Sequence, residues 1–328
     1  MPVALHRPIR HLLVVRFSAL GDVAMTVPVV DTLARHYPDL TVTMLSRPAV
    51  APLFAYMPPN VTFRGVDLHH DYLGAEGLRR LFRELVADGV DGLADLHGVL
   101  RTHYLRSMFF LSGLPAASIR KGRRAKRRLI RHVPNAFFQL PTSVDRYTRV
   151  FERLGFPVTP DFRSVFPSGR FPALPAGCGV PDKAPHELWI GIAPFSAHRG
   201  KTYPPDMMEE VIARLSAFYP EARLFVFSDA QEASAWREQW EARYERLLFP
   251  GPRMGGLGGE LALMSRLDVM VSMDSANMHL ASLVDVPVVS IWGATHPFVG
   301  FLGYVIAFIL SVWIVFDIYF KGRDSKKR

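Results

Sequence analysis

Asp22 is the first residue of the chain whose type and setting could do chemistry. It lies in "RFSALGDVAMTVP", Arg16 to Pro28, directly after the apolar run Leu12 to Val15 and ahead of a helical pattern that ends near Tyr37. A buried strand opening into a helix through a Ser/Gly turn aims side chains and free backbone N–H groups beyond the carboxyl edge of a parallel sheet, where ligands bind in open α/β folds. A carboxylate there is either an N-cap favoured by the helix dipole or a group that faces whatever binds at that edge. Asp95-Leu-His97 ends a later strand and reaches the same kind of edge, so these two are polar ligand contacts or structural groups. Met273 to His279, "MDSANMH", is another strand-to-helix turn. There the N–H groups of Ser275, Ala276 and Asn277 can receive a diphosphate without a metal, and Asp274 can bind sugar or ribose hydroxyls. Asp67-Leu-His-His-Asp71 contains metal-ligand residue types, but no second ligand cluster stands at a recognisable spacing, so it reads as a polar loop.

The run from Arg120 to His132, "RKGRRAKRRLIRH", repels itself and seeks anions. It lacks interleaved aromatics and no nucleic-acid-binding motif accompanies it, which argues against nucleic acid as its partner. The whole chain has the same bias, with a formal charge of +9 and a pI near 9.8, which suits phosphorylated sugars or anionic lipid. A hydrophobic content of 49% in 328 residues excludes wholesale disorder and allows two domains. Cys178, the only cysteine, reads as an ordinary linker residue and suits a reducing compartment. Met1 to Arg10 has no apolar core of a secretory signal, so the body of the protein is expected to be cytoplasmic.

The positioning elements alternate between strand and helix. Strands are predicted at 12–15, 40–46, 61–66 and 90–95, with helices at 48–56, 77–88, 99–111 and 142–154. Residues 156–187, rich in Pro and Gly, read as a linker. The rhythm then restarts: strands at 188–193, 222–228, 247–249, 268–273 and 287–292 alternate with helices at 204–219, 230–243, 260–266 and 276–284. The domains are thus 1–155 and 188–300, followed by an apolar span, 301–320, and a basic end, 321–328. That span is long enough for a transmembrane helix, and Asp317 sits near its end, where its burial cost can be relieved.

"RFSALGDVAMTVP", "DLHGVLR" at Asp95 to Arg101 and "MDSANMHLASLVDVPVVSIWGATHP" at Met273 to Pro297 together resemble the signatures of glycosyltransferase family 9, the bacterial lipopolysaccharide heptosyltransferases. The resemblance runs from about Leu12 to Phe301 and stops there. It implies an α/β fold of the GT-B type, two Rossmann-like domains facing a cleft, with an acceptor domain first and a nucleotide-sugar donor domain second. The donor domain then reads as truncated, followed by the transmembrane helix. The implied activity is inverting transfer of a heptose from ADP-heptose to a lipopolysaccharide core acceptor, with no cofactor and no metal. By that resemblance Asp22 is the catalytic base. Lys201, in "HRGKTYPPD", meets the donor phosphates, and Asp274, Ser275, Ala276, Asn277 and His279 complete the donor site, although the family more often has Gly at 276 and 277. Ser18, Gly21, Asp95, His97, Arg120, Arg123 and Arg124 are the expected acceptor contacts. The expected place of work is the inner face of the cytoplasmic membrane, anchored by 301–320. An inactive nucleotide-sugar-binding remnant, a chimeric reading frame, and an anion- or nucleic-acid-binding protein acting through 120–132 stand as alternatives.

Overall fold

The computed structural model describes residues 8–130, 138–167, 171–228, 230–292, 297–301, 303 and 304. The chain forms two compact units, Met1–Val165 and Phe166–Arg328. The stretch 156–187 is divided between them. On the first side, Tyr37 donates to the Pro157 carbonyl (3.0 Å), and Asp161 receives Arg35 and the Thr32 hydroxyl. On the second, Arg266 donates to the Pro172 carbonyl (2.6 Å) and Lys183 pairs with Asp268 (2.7 Å).

The first unit runs β1 (His11–Val15), α1 (Leu20–Ala24), α2 (Val27–His36), β2 (Thr41–Ser46), a 3-10 turn (Pro48–Phe54), β3 (Val61–Gly65), α3 (Gly74–Ala87), β4 (Gly92–Asp95), α4 (Leu100–Leu111), β5 (Ala116–Ser118), α5 (Arg123–Ile130) and α6 (Ser143–Arg153). Its strands are all parallel, in the order β3-β2-β1-β4-β5. Leu12 to Val15 is wholly buried, as expected of a central strand covered on both faces. Leu13 and Val15 join Leu81, Leu93 and Phe109 in one core cluster. The helical pattern predicted up to Tyr37 is two helices, because the Thr26 hydroxyl turns back to the Val23 carbonyl (2.7 Å) and Pro28, lacking an N–H, sits in the first turn of α2. β5 and α5 were not predicted: β5 has three residues, and α5 lies inside the charged run.

The second unit runs β6 (Trp189–Ala193), a 3-10 turn (Arg199–Lys201), α7 (Pro205–Phe218), β7 (Arg223–Val226), α8 (Ala230–Arg243), β8 (Leu247–Leu248), α9 (Leu257–Met264), β9 (Val269–Met273), α10 (Ala276–Leu283) and β10 (Val288–Ile291). Its parallel order is β10-β9-β6-β7-β8. Counted within each sheet this is the same arrangement as in the first unit, with the strand direction of the connections reversing between the first and fourth strands. Ile190, Ile192, Met208, Val226 and Trp240 form its core.

No helix among the described residues is long and apolar enough to cross a membrane. The predicted transmembrane helix 301–320 falls, apart from Phe301, Gly303 and Tyr304, outside the described residues, as do Arg131 and His132 of the basic run and Gly293 to His296 of the third motif.

Candidate active site

In each unit the predicted residues gather at the carboxyl ends of the first and fourth strands, the switch point of a doubly wound sheet. In the first unit β1 ends at Val15 and β4 at Asp95, and these two residues are register partners. Arg16 leaves β1 buried and is tied down from several sides. It donates to the Leu96 carbonyl (2.5 Å), pairs with Asp22 (2.5 Å) and lies 5.6 Å over the ring of the buried Tyr147. Its Nε has no hydrogen-bond partner among the described residues.

Asp22 is not an N-cap. Ala19 holds that position, no side chain caps α1, and Asp22 stands in the first turn of the helix, one-third exposed. Its backbone carbonyl accepts from the Tyr147 hydroxyl (3.1 Å), so α6 fixes the turn that carries the carboxylate. Gly21 is buried in α1 and accepts the Met25 N–H, a structural position. Ser18 lies 3.3 Å from Nε2 of His97, and the Phe17 N–H donates to the Nδ1 of the same ring (3.4 Å). The ring proton therefore sits on Nε2. Burial, then the charges of Arg16 and Lys121, push His97 down to about 4, so it is a neutral imidazole at pH 7 that orients the turn after β1.

Asp95 is fully buried, and of its two possible roles the structure shows the positioning one. Its Oδ1 accepts the N–H groups of His97 (2.9 Å) and Gly98 (2.8 Å), and its Oδ2 accepts the Ser118 hydroxyl (3.0 Å). Gly98 completes that turn at φ +59, a conformation that favours glycine.

The basic run divides by face. Arg120, Arg123 and Arg124, the expected acceptor contacts, are exposed, while Lys121 and Lys126 are half-buried. Burial pushes Lys121 down, helped by Arg16 and Arg123. Lys126 falls to about 8 through burial and the charges of Arg146, Lys121 and Arg16, with Asp22 acting in the opposite sense. Arg146, on the buried face of α6, is also pushed down by burial, and its guanidinium lies against Gly122. Arg16, Lys121 and Lys126 thus concentrate positive charge around Asp22, and Arg146 stands close enough to Lys126 to push it down. Sequence reasoning named none of these four as a site residue, although Arg16 opens the first motif and Lys121 and Lys126 lie in the basic run. One signal was present: the apolar spacing Tyr147, Val150, Phe151 places Arg146 on a core face, where a cation is rare without a purpose.

In the second unit β6 and β9 end at the corresponding place. Lys201, closing the turn after β6, pairs with Asp274, the residue after β9, at 2.7 Å. Asp274 is buried, and its carbonyl accepts the Ser196 hydroxyl (3.2 Å). Ser275 is the N-cap of α10 but its side chain makes no cap bond; its hydroxyl lies 3.3 Å from that of Ser272. The opening N–H groups of α10, through Ala276 and Asn277, are therefore not consumed by a capping side chain. His279 is buried one turn further along, and its carbonyl accepts the Ser282 hydroxyl (2.7 Å).

Among the described residues no group of three or more His, Cys, Asp or Glu is placed to hold a metal ion. Asp67 instead caps its own loop, accepting the N–H groups of His69 and His70 and pairing with the His70 ring.

The sequence profile of glycosyltransferase family 9 (heptosyltransferase) matches residues 78–300. Among solved structures, a family 9 glycosyl transferase from Veillonella parvula is similar at a TM-score of 0.69 and 19% identity, over 97% of this chain and 91% of that one. Escherichia coli heptosyltransferase WaaC with ADP gives 0.67 and 14%, over 96% and 99%. Escherichia coli ADP-heptose lps heptosyltransferase II gives 0.62 and 16%, over 97% and 98%. At such identities the structural likeness is one of fold. No significant match was found among curated proteins.

Proposed function

Because the chain belongs to glycosyltransferase family 9 and is a glycosyltransferase, we propose that it moves a heptose from ADP-heptose to an anionic, lipid-linked acceptor of the lipopolysaccharide core. The observation that carries the acceptor side is the setting of Asp22: a carboxylate one-third exposed, paired with the buried Arg16 and within reach of the half-buried Lys121 and Lys126. Such a group of cations suits an acceptor that carries phosphate or carboxylate. Arg16 fixes the direction of the Asp22 carboxylate and leaves one flank for an acceptor hydroxyl.

In the proposed reaction Asp22 accepts the proton of that hydroxyl as its oxygen attacks the anomeric carbon from the face opposite the diphosphate. The bond from carbon to phosphate oxygen breaks, the anomeric configuration inverts and ADP leaves. Lys201 and the N–H groups of Ser275, Ala276 and Asn277 take the developing diphosphate charge, which is why we read the transfer as independent of metal. Asp274, released from Lys201, is then able to accept hydroxyls of sugar or ribose. The likeness to E. coli WaaC with ADP and to E. coli ADP-heptose lps heptosyltransferase II supports the choice of donor.

Incubation of the full-length protein with ADP-, GDP- and UDP-sugars and a panel of lipid acceptors tests this reading. Product of inverted configuration from ADP-heptose is expected. Bound nucleotide with no transfer from any donor would make the chain an inactive nucleotide-sugar-binding remnant. The apolar stretch 301–320 and the basic end after it support attachment to the cytoplasmic membrane at its inner face. Release of the full chain from membranes by alkaline carbonate would overturn that part.

A further inference from the structure

Between Asp95 and Asp145 the chain has no acidic residue, while ten lysines and arginines fall there. Eight of the ten are arginines, and the two lysines, Lys121 and Lys126, belong to the group around Asp22. The exposed charge of this segment is therefore almost all guanidinium, the cation best matched to phosphate.

α4 adds a second feature. Thr102, Leu105 and Phe109 bury one side of it, yet Leu100, Phe110 and Leu111 are 84%, 78% and 82% exposed. Positions 100, 103, 107, 110 and 111 follow helical spacing and share one face. On this face the helix shows solvent Leu100 at its start and Phe110 and Leu111 at its end, with the polar His103 and Ser107 between them and no acidic residue among them. Beside it runs β5, the edge strand of the sheet. Two shallow grooves follow this edge and share Arg106 and Ala116: Phe110 and Leu111 line one, and Arg120 and Arg153 line the other. α5 starts three residues beyond Arg120 and exposes Arg123, Arg124, Arg127 and Arg128.

We infer that the outer side of α4, the β5 edge and α5 together seat the first unit on the surface of an anionic bilayer. Leu100, Phe110 and Leu111 enter the boundary between headgroups and acyl chains, and the arginines take the lipid phosphates. Neither feature suffices alone, since a few apolar side chains give marginal binding and a polybasic stretch is screened by salt. A second copy of the chain is a poor occupant, because two such faces would repel. The inference rests on the proposed reading only in that a lipid-linked acceptor gives a transferase reason to sit on a membrane.

The test is photo-crosslinking of the full-length protein to phosphatidylglycerol vesicles that carry a photoactivatable acyl chain, with adducts mapped by peptide. Adducts within 100–111 are expected, with yields roughly tenfold lower or less on pure phosphatidylcholine. Phe110→Asp with Leu111→Asp should abolish them and leave any adducts in 301–320 unchanged, which separates this face from the apolar tail. Arg127→Glu with Arg128→Glu should weaken them by about fivefold or more for each arginine. All four positions are exposed and lie outside the site at Asp22, so both variants should melt like the wild type. They should also transfer at the wild-type rate to a deacylated, water-soluble acceptor. No adducts within 100–111, equal yields on both lipids, or displacement of the vesicles by an RNA oligonucleotide would overturn the inference, the last assigning the face to nucleic acid. A wild-type protein that forms the adducts but transfers to no acceptor would instead defeat the proposed function alone.

Discussion

The two units repeat one strand order and place their polar residues at the same switch point, but they charge it differently. In the second unit, among the described residues, Lys201 neutralises the buried Asp274 at 2.7 Å, and the start of α10 adds attraction for an anion. In the first, Arg16 pairs with the one-third exposed Asp22, and burial and neighbouring cations push Lys121 and Lys126 down beside it. A balanced pair can exchange partners when a diphosphate arrives and leaves, which suits a product that must be released. An excess of desolvated cations holds its anion more firmly and keeps a base close to it, which suits positioning of an acceptor.

Asp22→Asn is the sharpest way to break the comparison. The amide still offers Arg16 an acceptor but cannot take a proton, so transfer should fall by about two to four orders of magnitude. ADP affinity, measured by calorimetry, should stay near wild type, because in the proposed reaction the lost group acts on the acceptor. Wild-type turnover would leave Asp22 as no more than a partner for Arg16. Lys201→Ala should do the opposite kind of damage, lowering transfer roughly a hundredfold and weakening ADP binding with it. Loss of transfer with full ADP affinity would mean that Lys201 serves Asp274 rather than the donor.

Most of this frame was legible in the sequence because the strand ends are buried apolar runs and the motifs follow them directly. Leu12 to Val15 leading into Asp22, and Val269 to Met273 leading into Asp274, are examples. Three things were not legible. The Arg16–Asp22 pair closes across a turn whose shape no periodicity encodes. Asp95 lies in a strand-end motif, and only tertiary packing reveals that one of its oxygens holds the turn that follows while the other takes the Ser118 hydroxyl of β5. In the basic run every residue has the same charge, so composition cannot say which of them face inward. Only a helix through 123–130 puts Lys126 three residues before the buried Leu129, on the side that Arg123, Arg124, Arg127 and Arg128 leave.

Lys126 sharpens the comparison without destroying activity. Lys126→Ala should raise the KM for acceptor by about tenfold, as expected for one hydrogen bond to a charged group, and leave the KM for donor alone. With Lys126 near 8, its charge is lost as pH rises, so the acceptor KM of the wild type should climb between pH 7 and pH 9. Lys126→Arg keeps the charge and should flatten that climb. A donor KM that rises in parallel, or an unchanged pH profile in the arginine variant, would remove Lys126 from the acceptor side.

The smallest effect belongs to His97, which positions rather than reacts. Its ring is held neutral in the folded protein, down to about 4 against an ordinary value of 6.5, by burial and by Arg16 and Lys121. The unfolded chain therefore binds a proton on this ring more readily between those two values. The contribution of His97 to stability is complete above pH 6.5 and is lost as pH falls from there towards 4. Other groups titrate in this window, so the informative quantity is the difference between wild type and His97→Gln, whose side chain can still accept the Phe17 N–H but does not titrate. Melting temperatures recorded from pH 7 to pH 4.5 should fall less steeply in the variant, and its transfer at pH 7 should drop less than in Asp22→Asn or Lys201→Ala. Parallel melting curves would mean that His97 is protonated as easily in the fold as outside it. The cations around Asp22 would then exert no appreciable field on the turn that carries the base.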